Sequence, residues 1–593
     1  MNSSNQLLNW RDLRPELNIK SDINLLETTK DTDFFDLQPH AGAAIERFLK
    51  NDNSTLLLLK SEQHGQYAPL LENFIRINQP NELAIKGVKY DLKQADSFSF
   101  PEVSVEPAKS KMDNFAAKKQ VATALYCDQS QLFGCIRVNS SSHDIMLSAG
   151  LVHQLNGGVL ILSASNLLER FDLWHRLKQI LTTKQFDWYS LNPLKIMPCD
   201  IPSYPVELKI ILLANRAELA TLDELDEDIL QIADYAEIES YFSMENCEKQ
   251  IKWASFVQQY ARQNGFPAIK ESGLTALYQY LARQSEDRHL INISPLKLKS
   301  ILSGVVACNK NYNQSNSLSA VDFLRYFDSL SQQQGFLREC AYNEILKEQI
   351  YVATQGEIVG QINGLSVIEY AGSPASFGEP SRISCIVQFG EGEIIDVERK
   401  NELAGNIHGK GIMIAELCLA NILELPSQLP FSASIVFEQS YSEIDGDSAS
   451  LASFCVLVSA LANLPLPQSI AVTGAIDQFG LVHSVGGVNE KIEGFFTICE
   501  RRGLTGHQGV IIPTTVLNQL SLSETVVSAV KNGKFSIWTV DDVFQACQIL
   551  FKRPLLSDDK NTEETSISTL INHRVQHRAE PKIRLFERLF FKR

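Results

Sequence analysis

Short apolar runs, each followed by a stretch with helical spacing, mark the first part of the chain. Such runs lie at residues 54–60, 157–163 and 206–215. Short buried strands that alternate with helices are typical of a mainly parallel sheet with helices packed on its faces. The pattern therefore predicts an α/β domain over residues 1–245.

The pattern changes to helical spacing between residues 246 and 344, where strand signals are few. Apolar residues recur at helical intervals, at Ile251, Trp253, Phe256 and Tyr260 and again at Leu296, Leu298, Ile301, Leu302 and Val305. This spacing is typical of helices with one buried face. We therefore expect a separate helical subdomain over residues 246–344.

Strand patterns return after residue 345. Apolar runs with strand character lie at 349–355, 382–389, 432–440, 468–476 and 508–513, and two long helical patterns lie at 411–423 and 448–464. These elements predict a second domain of mixed strands and helices over residues 345–553. The fold class predicted for the whole chain is thus α/β multidomain.

The last segment, residues 554–593, is first polar and acidic and then basic. Its end, IRLFERLFFKR (583–593), places Leu585, Phe586, Leu589 and Phe590 at helical spacing. A basic helix with one apolar side suits docking on an anionic membrane or on a protein partner. A terminal helix that packs on its own domain is the alternative interpretation.

Composition and charge narrow the function classes. The 593 residues carry a net charge of −16, so the average surface repels nucleic acid, which is not the expected partner. The 11 cysteines are spread singly, which favours reduced core residues over disulfides or a zinc site. Neither an apolar run of roughly 18 residues nor a secretory signal is recognisable, so the expected location is the cytoplasm.

A candidate nucleophile lies where a predicted strand gives way to a long apolar helix. The segment from Glu438 to Ser450 contains the turn Gly446-Asp447-Ser448, directly before that helix. A serine there has its hydroxyl beside unpaired backbone N–H groups and the positive end of the helix dipole, which stabilise an oxyanion. Aspartate and serine at a helix start also act as simple N-caps. Both interpretations are open for this segment alone.

Lys491 is the candidate base. It lies in VGGVNEKIEGFF (485–496), 43 residues after Ser448. A lysine accepts a proton near pH 7 only if its pKa, ordinarily about 10.4, falls by several units, which burial among apolar groups achieves. Such surroundings are offered by its apolar neighbours Val485, Val488, Ile492, Phe495 and Phe496. The alternative is an exposed helix face on which Lys491 pairs with Glu490 or Glu493.

Taken together, the two segments resemble the proteolytic domain of the Lon family of Ser–Lys proteases, in particular the branch with the EGDSAS-type nucleophile motif. The matching segments follow in the family's order, at residues 377–387, 437–450, 473–496 and 509–513. They cover about residues 345–553. The resemblance implies that Ser448 is the nucleophile and Lys491 the general base.

The resemblance also extends to residues beside this pair. Thr473 matches a threonine that lies next to the lysine in the family, Glu438 and Asp447 match acidic positions near the nucleophile, and Ala449 follows the nucleophile directly. Because a nearby carboxylate favours the charged form of a lysine, we expect the two acids either to belong to a gated resting state or to orient the loop. For Glu438 the alternative is an ordinary surface strand residue.

The first half resembles a Lon-type ATPase domain without its nucleotide chemistry. Segment 150–165 looks like the stretch that ends in the Walker B strand, but Ser163 and Ala164 occupy the positions of the Asp-Glu pair that holds magnesium. The segment 61–69, where a phosphate loop is expected, has one glycine and no GKS or GKT. Asn215 matches a polar sensor position, or it is a helix cap. We therefore expect a degenerate AAA+ module with a helical lid, which holds no metal and does not hydrolyse ATP.

The sequence thus predicts a cytoplasmic, Lon-like serine endopeptidase that hydrolyses unfolded or loosely folded proteins and requires no cofactor. The family resemblance implies a homo-hexameric ring, and the basic C-terminal tail suggests an adaptor, membrane or partner contact. Two alternatives are open. One is a non-enzymatic binding scaffold with a closed protease domain, and the other is an ATP-dependent protease with an unorthodox nucleotide site.

Overall fold

The computed structural model describes residues 6–19, 32–62, 64–79, 85–93, 101–138, 145–190, 196–309, 317–425, 429–440, 444–556 and 566–579. Within these residues the chain forms two large sheets, and a set of helices lies between them along the chain. The α/β multidomain class predicted from the sequence is confirmed.

The N-terminal sheet is parallel throughout. In chain order its strands are Leu56–Lys60, Val121–Ala124, Val159–Ser163, Lys209–Ala214 and Asp234–Glu237. Across the sheet the last strand comes first, followed by the first, fourth, third and second strands. The predicted apolar runs form three central strands of this sheet. Their carboxyl ends, with that of Asp234–Glu237, lie at one edge, which we call the carboxyl edge.

Helices and short strands surround this sheet. The longer helices are Pro39–Lys50, His64–Asn78, Phe171–Thr183 and Arg216–Leu225, and the shorter ones are Gln129–Phe133, Leu151–Gln154, Ala164–Glu169 and Ile229–Ile232. Small strands are Gly87–Lys93, Glu102–Pro107, Phe115–Ala116, Cys135–Val138, Ile145–Ser148, Gln185–Phe186 and Tyr204–Pro205. The apolar faces of the sheet are thereby buried on both sides.

The predicted helical subdomain is made of consecutive helices. They are Cys247–Gln263, Glu271–Ser285, Pro295–Cys308, Ala320–Gln333 and Phe336–Leu346. Two small strand pairs join them, Tyr241–Ser243 with Leu290–Asn292 and Ala268–Ile269 with Ser317–Leu318. We call Glu271–Ser285 the docking helix, because its C-terminal end contacts the next domain.

The C-terminal sheet has seven strands, with parallel and antiparallel pairs. From one edge to the other they are Ile394–Asp396, Leu429–Phe437, Phe377–Gly392, Gln361–Ile368, Ile470–Val472, Gly509–Pro513 and Ser536–Val540. Smaller pairs are Glu357–Val359 with Pro465–Pro467 and Ala475–Ile476 with Val482–His483. Most strands predicted in this domain are present, with bounds shifted by a few residues.

The strand predicted at residues 349–355 is wrong. This segment forms no strand and contains bends at both ends. Val352 is buried, and the amide of Tyr351 donates to Oε1 of Gln439 at 2.9 Å. The apolar side chains therefore signal burial against other elements, and a side chain replaces the backbone partner that a strand would have.

Helices cover both faces of the C-terminal sheet. They are Val397–Lys400, Asn406–Ile422, Ser450–Ala462, Val488–Arg502, Glu524–Lys531, Val543–Phe551 and Ile567–Ala579. The helix Ser450–Ala462 is buried along almost its whole length, as expected for a helix that is apolar on every side. We call Val488–Arg502 the Lys491 helix, after the residue it carries.

The described ends of the chain both pack on this last domain. Leu7 forms a bridge with Trp538, and the amide of Leu8 donates to the carbonyl oxygen of Ile537 at 2.9 Å. At the other end, Ile567 and Ile571 are buried beside the helix Ser450–Ala462. The predicted basic helix at 583–593 lies outside the described residues. In the part of the chain that the structure describes, no helix is long and apolar enough to span a membrane.

Candidate active site

Ser448 lies in a tight turn at the start of a long buried helix. Gly446 has a φ of +104°, a left-handed conformation that glycine adopts without strain. The helix begins at Ser450, two residues after Ser448. Oγ of Ser450 accepts a hydrogen bond of 2.9 Å from the amide of Ile476. The turn that carries Ser448 is thereby tied to the neighbouring strand.

The backbone amides of this turn differ in their partners. The amide of Ser450 donates to the carbonyl oxygen of Asp447 at 3.0 Å. The amides of Ser448 and Ala449 have no acceptor among the described residues. Unpaired N–H groups at a helix N-terminus attract negative charge, so these two amides are available to a negatively charged oxygen.

Lys491 comes from the first turn of the Lys491 helix and reaches Ser448. The helix starts after Gly487, whose φ is +63°, and the amide of Lys491 donates to the carbonyl oxygen of Gly487 at 3.0 Å. Nζ of Lys491 donates a hydrogen bond of 3.0 Å to Oγ of Ser448. The structure therefore brings together the two side chains that the sequence singled out.

Burial changes the charge balance of Lys491. Lys491 is only 4% exposed. The apolar neighbours that were predicted to surround it are also buried, namely Val485, Val488, Ile492, Phe495 and Phe496. Loss of solvation lowers the pKa of Lys491 to about 8, although the carboxylates of Glu286 and Asp447 act in the opposite direction. A substantial fraction of this lysine is therefore neutral slightly above neutral pH.

Thr473 supports the backbone of the nucleophile. It is fully buried, and its Oγ1 donates to the carbonyl oxygen of Ser448 at 3.3 Å. The next residue, Gly474, donates its amide to the same oxygen at 2.8 Å. Two donors from one segment thus hold the peptide group that follows Ser448. This contact links Thr473 to the serine rather than to the lysine.

The two acidic residues near the nucleophile have different surroundings. Oε1 of Glu438 accepts a hydrogen bond of 2.6 Å from Oγ of Ser384, and its Oε2 lies 3.8 Å from Nη2 of Arg382. Glu438 itself lies in the turn directly after the strand Leu429–Phe437, so it is not a strand residue, although its side chain contacts the neighbouring strand. Asp447 is exposed in the turn, and its charge favours the protonated form of Lys491.

A cavity of about 390 Å³ opens beside Ser448 and Lys491. Ala449 and Gly446 line one side, and Leu365 and Val367 of the strand Gln361–Ile368 line another. An extended chain that entered this cavity would pass the serine hydroxyl. The carboxylates that also line the cavity are Glu286, Glu369, Glu379, Asp445 and Glu490.

Glu286 is a cavity residue that sequence reasoning missed. It follows the docking helix, and its Oε1 accepts a hydrogen bond of 3.2 Å from the amide of Gly487. Its neighbour Arg283 contacts Glu490 and Glu493 of the Lys491 helix. No motif marks these two residues, because they lie about 200 positions before Lys491 in a segment of ordinary polar composition.

The carboxyl edge of the N-terminal sheet has a different chemistry. Nζ of Lys60 lies 3.3 Å from Oε1 of Glu237, and Oγ of Ser163 lies 3.1 Å from Oγ of Ser165. Ala164 is fully buried. Asn215 caps the helix Arg216–Leu225, where its Oδ1 accepts from the amide of Glu218 at 2.9 Å.

These residues do not fit a magnesium nucleotide. Ser163 and Ala164 offer no carboxylate at the end of their strand, and Lys60 is already engaged by a carboxylate. The described residues hold no cluster of three or more side chains able to bind a metal ion. The ligand set that this fold uses for ATP hydrolysis is therefore incomplete at the carboxyl edge.

Models of two protein families match the chain. Residues 118–234 match the model described as LonB-like, AAA domain. Residues 440–552, which include Ser448, Thr473 and Lys491, match the model described as Lon protease (S16) C-terminal proteolytic domain. The two halves of the chain are thus similar to two modules of one kind of protein.

Several named proteins are similar to this chain over much of its length. Two bacterial proteins carry the name "Putative Lon protease homolog". The one from Haemophilus influenzae is 60% identical over 99% of this chain and 96% of its own length, and the one from Escherichia coli is 42% identical over 92% and 91%. An archaeal Lon protease from Thermoplasma acidophilum is 24% identical over 72% of this chain and 62% of its own length.

Proposed function

Because this chain belongs to the Lon protease family, we propose that it is a serine endopeptidase in which Ser448 and Lys491 form the catalytic dyad. The observation that carries the proposal is the 3.0 Å contact between Nζ of Lys491 and Oγ of Ser448, in a cavity where the lysine is buried. A serine hydroxyl needs a base within hydrogen-bond reach, and a lysine whose pKa is about 8 can act as that base.

In the first step Oγ of Ser448 attacks the carbonyl carbon of the peptide bond while neutral Lys491 takes the hydroxyl proton. The carbonyl oxygen becomes an oxyanion in the tetrahedral intermediate. The free amides of Ser448 and Ala449 lie on the same turn as the nucleophile, and they are the donors that we assign to this oxyanion. The dipole of the helix Ser450–Ala462 acts in the same direction.

Collapse of this intermediate breaks the peptide C–N bond. Lys491, now protonated, delivers its proton to the leaving amine and is neutral again. Water then attacks the ester on Ser448 while Lys491 takes a proton from it. As the ester C–O bond breaks, Lys491 returns this proton to Oγ of Ser448, and the carboxylic acid product leaves. Thr473 and Gly474 keep the serine backbone fixed through both steps, since both donate to the carbonyl oxygen of Ser448.

We propose that this reaction does not depend on ATP hydrolysis by the same chain. Support comes from Ser163 and Ala164 at the carboxyl edge and from the pairing of Lys60 with Glu237. Without a motor to unfold its substrates, the enzyme would act on unfolded or loosely folded proteins. A hexameric ring in the cytoplasm is the expected setting by analogy with the family.

The test is digestion of an unfolded protein that carries quenched fluorophores, with and without ATP and magnesium. Wild type should cleave equally under both conditions, and Ser448→Ala and Lys491→Ala should not cleave. Ser381→Ala is the matched control, because Ser381 lines the same cavity outside the dyad. Strong stimulation by ATP would overturn the independence from ATP. Absence of cleavage by the wild type in every condition would favour a binding scaffold.

A further inference from the structure

The helical subdomain contributes two charged residues to the surroundings of Lys491. Arg283 is on the last turn of the docking helix, and Glu286 is the residue directly after it, with a left-handed φ of +51°. Both side chains point at the start of the Lys491 helix. This is the part of the protease domain whose position decides where Nζ of Lys491 lies.

Arg283 binds the carboxylates on either side of Lys491. Its Nη2 donates to Oε1 of Glu490 and to Oε2 of Glu493, both at 2.8 Å, and its Nη1 donates to Oε1 of Glu493 at 2.7 Å. Such forked ion pairs fix geometry better than single contacts. The sequence had left open that Glu490 or Glu493 pairs with Lys491, and in the structure Arg283 takes both carboxylates instead.

Glu493 also accepts a hydrogen bond from a backbone amide of the protease domain. The amide of Ser523 donates to its Oε1 at 2.7 Å. Burial by itself would raise the pKa of Glu493, yet the Arg283 guanidinium and this amide hold the pKa below its usual value. Glu493 is therefore ionised where it binds Arg283. Removal of the guanidinium would leave a buried carboxylate without its cationic partner.

Glu286 enters the active-site cavity itself. Its Oε1 accepts from the amide of Gly487 at 3.2 Å, at the N-terminal end of the Lys491 helix. Among the carboxylates that influence Lys491 it has the largest effect, ahead of Asp447. The other charged groups that line the cavity are Glu369, Glu379, Asp445 and Glu490, of which Glu490 is paired with Arg283.

We infer that the end of the docking helix is a working part of the protease site, in which Arg283 and Glu286 are positioning residues that fix the Lys491 helix and set the charge on Lys491. The inference rests on the proposed function for its meaning in catalysis. It assigns a role to the helical subdomain that needs no nucleotide. Docking of this subdomain then sets how readily Lys491 gives up its proton.

The two residues act on Lys491 in opposite directions. Glu286→Gln removes a negative charge that favours the protonated lysine, so Lys491 should become neutral at lower pH. Arg283→Gln frees Glu490, which then favours the protonated lysine, so neutralisation should require higher pH. We expect shifts of about half to one pH unit in each case. A purely structural role for the two residues does not predict shifts of opposite sign.

The test measures the protonation of Lys491 without relying on cleavage. The full-length protein is treated with trace acetic anhydride over a range of pH, and acetylation of Lys491 is quantified by mass spectrometry, since only neutral amines react. Glu348→Gln is the matched control for Glu286→Gln, because Glu348 is also exposed after a helix with a left-handed φ of +61°. Arg325→Gln is the control for Arg283→Gln, because Arg325 lies 3.9 Å from Asp322 of its own helix.

A second measurement tests the positioning role. Hydrogen exchange should be faster over residues 488–502 in Arg283→Gln than in wild type or Arg325→Gln, and Arg283→Lys should restore part of the protection. Thermal unfolding identifies any variant that is not folded. If Arg283→Gln is not folded, Arg283→Lys is measured in its place. Unchanged acetylation midpoints in both charge variants would overturn the inference.

The outcomes separate this inference from the proposed function. Cleavage by the wild type together with unshifted midpoints would reject the inference and leave the Ser–Lys protease standing. Shifts of opposite sign in a protein that cleaves nothing would support the electrostatic coupling and reject the peptidase. Shifts accompanied by matching changes in the pH profile of cleavage would support both.

Discussion

Two buried lysines, one in each half of the molecule, have opposite surroundings. Lys60 at the carboxyl edge is 7% exposed and lies 3.3 Å from a carboxylate oxygen of Glu237. Lys491 is 4% exposed and lies 3.0 Å from the hydroxyl of Ser448, and no described carboxylate is within ion-pair distance of it. Burial is alike, so the partner is what distinguishes the two sites.

The two lysines therefore differ in the group that they contact. Lys60 belongs to a cluster of ion pairs, whereas Lys491 contacts an uncharged hydroxyl. At the carboxyl edge the charged groups satisfy one another, since Arg216 also donates to Glu237, at 2.8 Å. In the active-site cavity the hydrogen-bond partner of the buried lysine is neutral, and the carboxylates of Glu286 and Asp447 offset desolvation only in part, so the pKa of the lysine falls. The N-terminal sheet thus has its charged side chains paired at the carboxyl edge, while the domain that matches the Lon proteolytic model holds a buried lysine whose charged form is disfavoured, a feature typical of functional sites.

The largest effect should come from removing each lysine in turn. Lys491→Ala should lower kcat/KM by at least about 10³-fold, since among the described residues no other side chain hydrogen-bonds to Oγ of Ser448. Lys60→Ala should change kcat/KM by less than about threefold. Cleavage of a fluorogenic unfolded substrate measures both. Equal losses in the two variants would mean that the comparison between the sites is mistaken.

A pH profile should show which form of Lys491 is active. The base must be neutral, so kcat/KM should rise about tenfold per pH unit below pH 8 and level off above it, in keeping with a pKa of about 8. The initial rate of cleavage from pH 6 to 9.5 provides the curve. A flat profile through pH 8 would contradict the assignment of Lys491 as base.

Replacing the lysines by methionine should change stability in opposite directions. The pKa of Lys491 falls from 10.5 in the unfolded chain to about 8 in the fold, so its charged form costs roughly 3 kcal/mol below pH 8. This cost fades as pH rises from 8 to 10.5. Lys491→Met should therefore raise the free energy of unfolding by about that amount at pH 7, and by less at pH 10.

Lys60→Met should lower the free energy of unfolding by about 1 kcal/mol, because Glu237 keeps Arg216 as a partner. Urea titrations of both variants at pH 7 and pH 10 compare the two sites directly. If Lys491→Met were less stable than wild type, Lys491 would stabilise the fold, and the proposed cost of burying its charge would be wrong.

The smallest effects should follow changes at the carboxyl edge of the N-terminal sheet. Ser163→Ala should leave cleavage within about twofold of wild type, with or without ATP, because Ser163 lies in the N-terminal sheet, does not line the cavity beside Ser448, and contacts the hydroxyl of Ser165. Calorimetry with millimolar ATP should show no saturable binding heat. A clear binding isotherm would revive the hypothesis of an unorthodox nucleotide site and would reduce the contrast between the two halves.

Much of this arrangement follows from local sequence patterns. The apolar runs and their helical neighbours predict the two sheets, because burial of a strand or a helix face is set mainly by its own residues. The motifs around Ser448 and Lys491 predict that these side chains meet, and the structure brings them together. The prediction of a strand at 349–355 was wrong because apolar composition indicates burial but does not specify a backbone hydrogen-bond partner.

The contacts made by Arg283 and Glu286 were beyond such reasoning. Arg283 lies on a helix and Glu286 directly after it, and no sequence motif distinguishes either of them from ordinary polar surface residues. Their meaning depends on how a helix from one domain lies against a helix from another, which no local pattern encodes. The same contacts explain why Glu490 and Glu493 do not pair with Lys491.

The bridge between Leu7 and Trp538 has a consequence for how this chain is made. The segment that includes Leu7 and Leu8 lies against Ser536–Val540, the last strand of the C-terminal sheet, and so covers part of an edge that would otherwise expose unpaired backbone groups. Its partner strand lies more than 500 residues further along the sequence, so this pair can form only after all the residues between them have been synthesised. A protease domain expressed without these first residues would carry an open, aggregation-prone sheet edge.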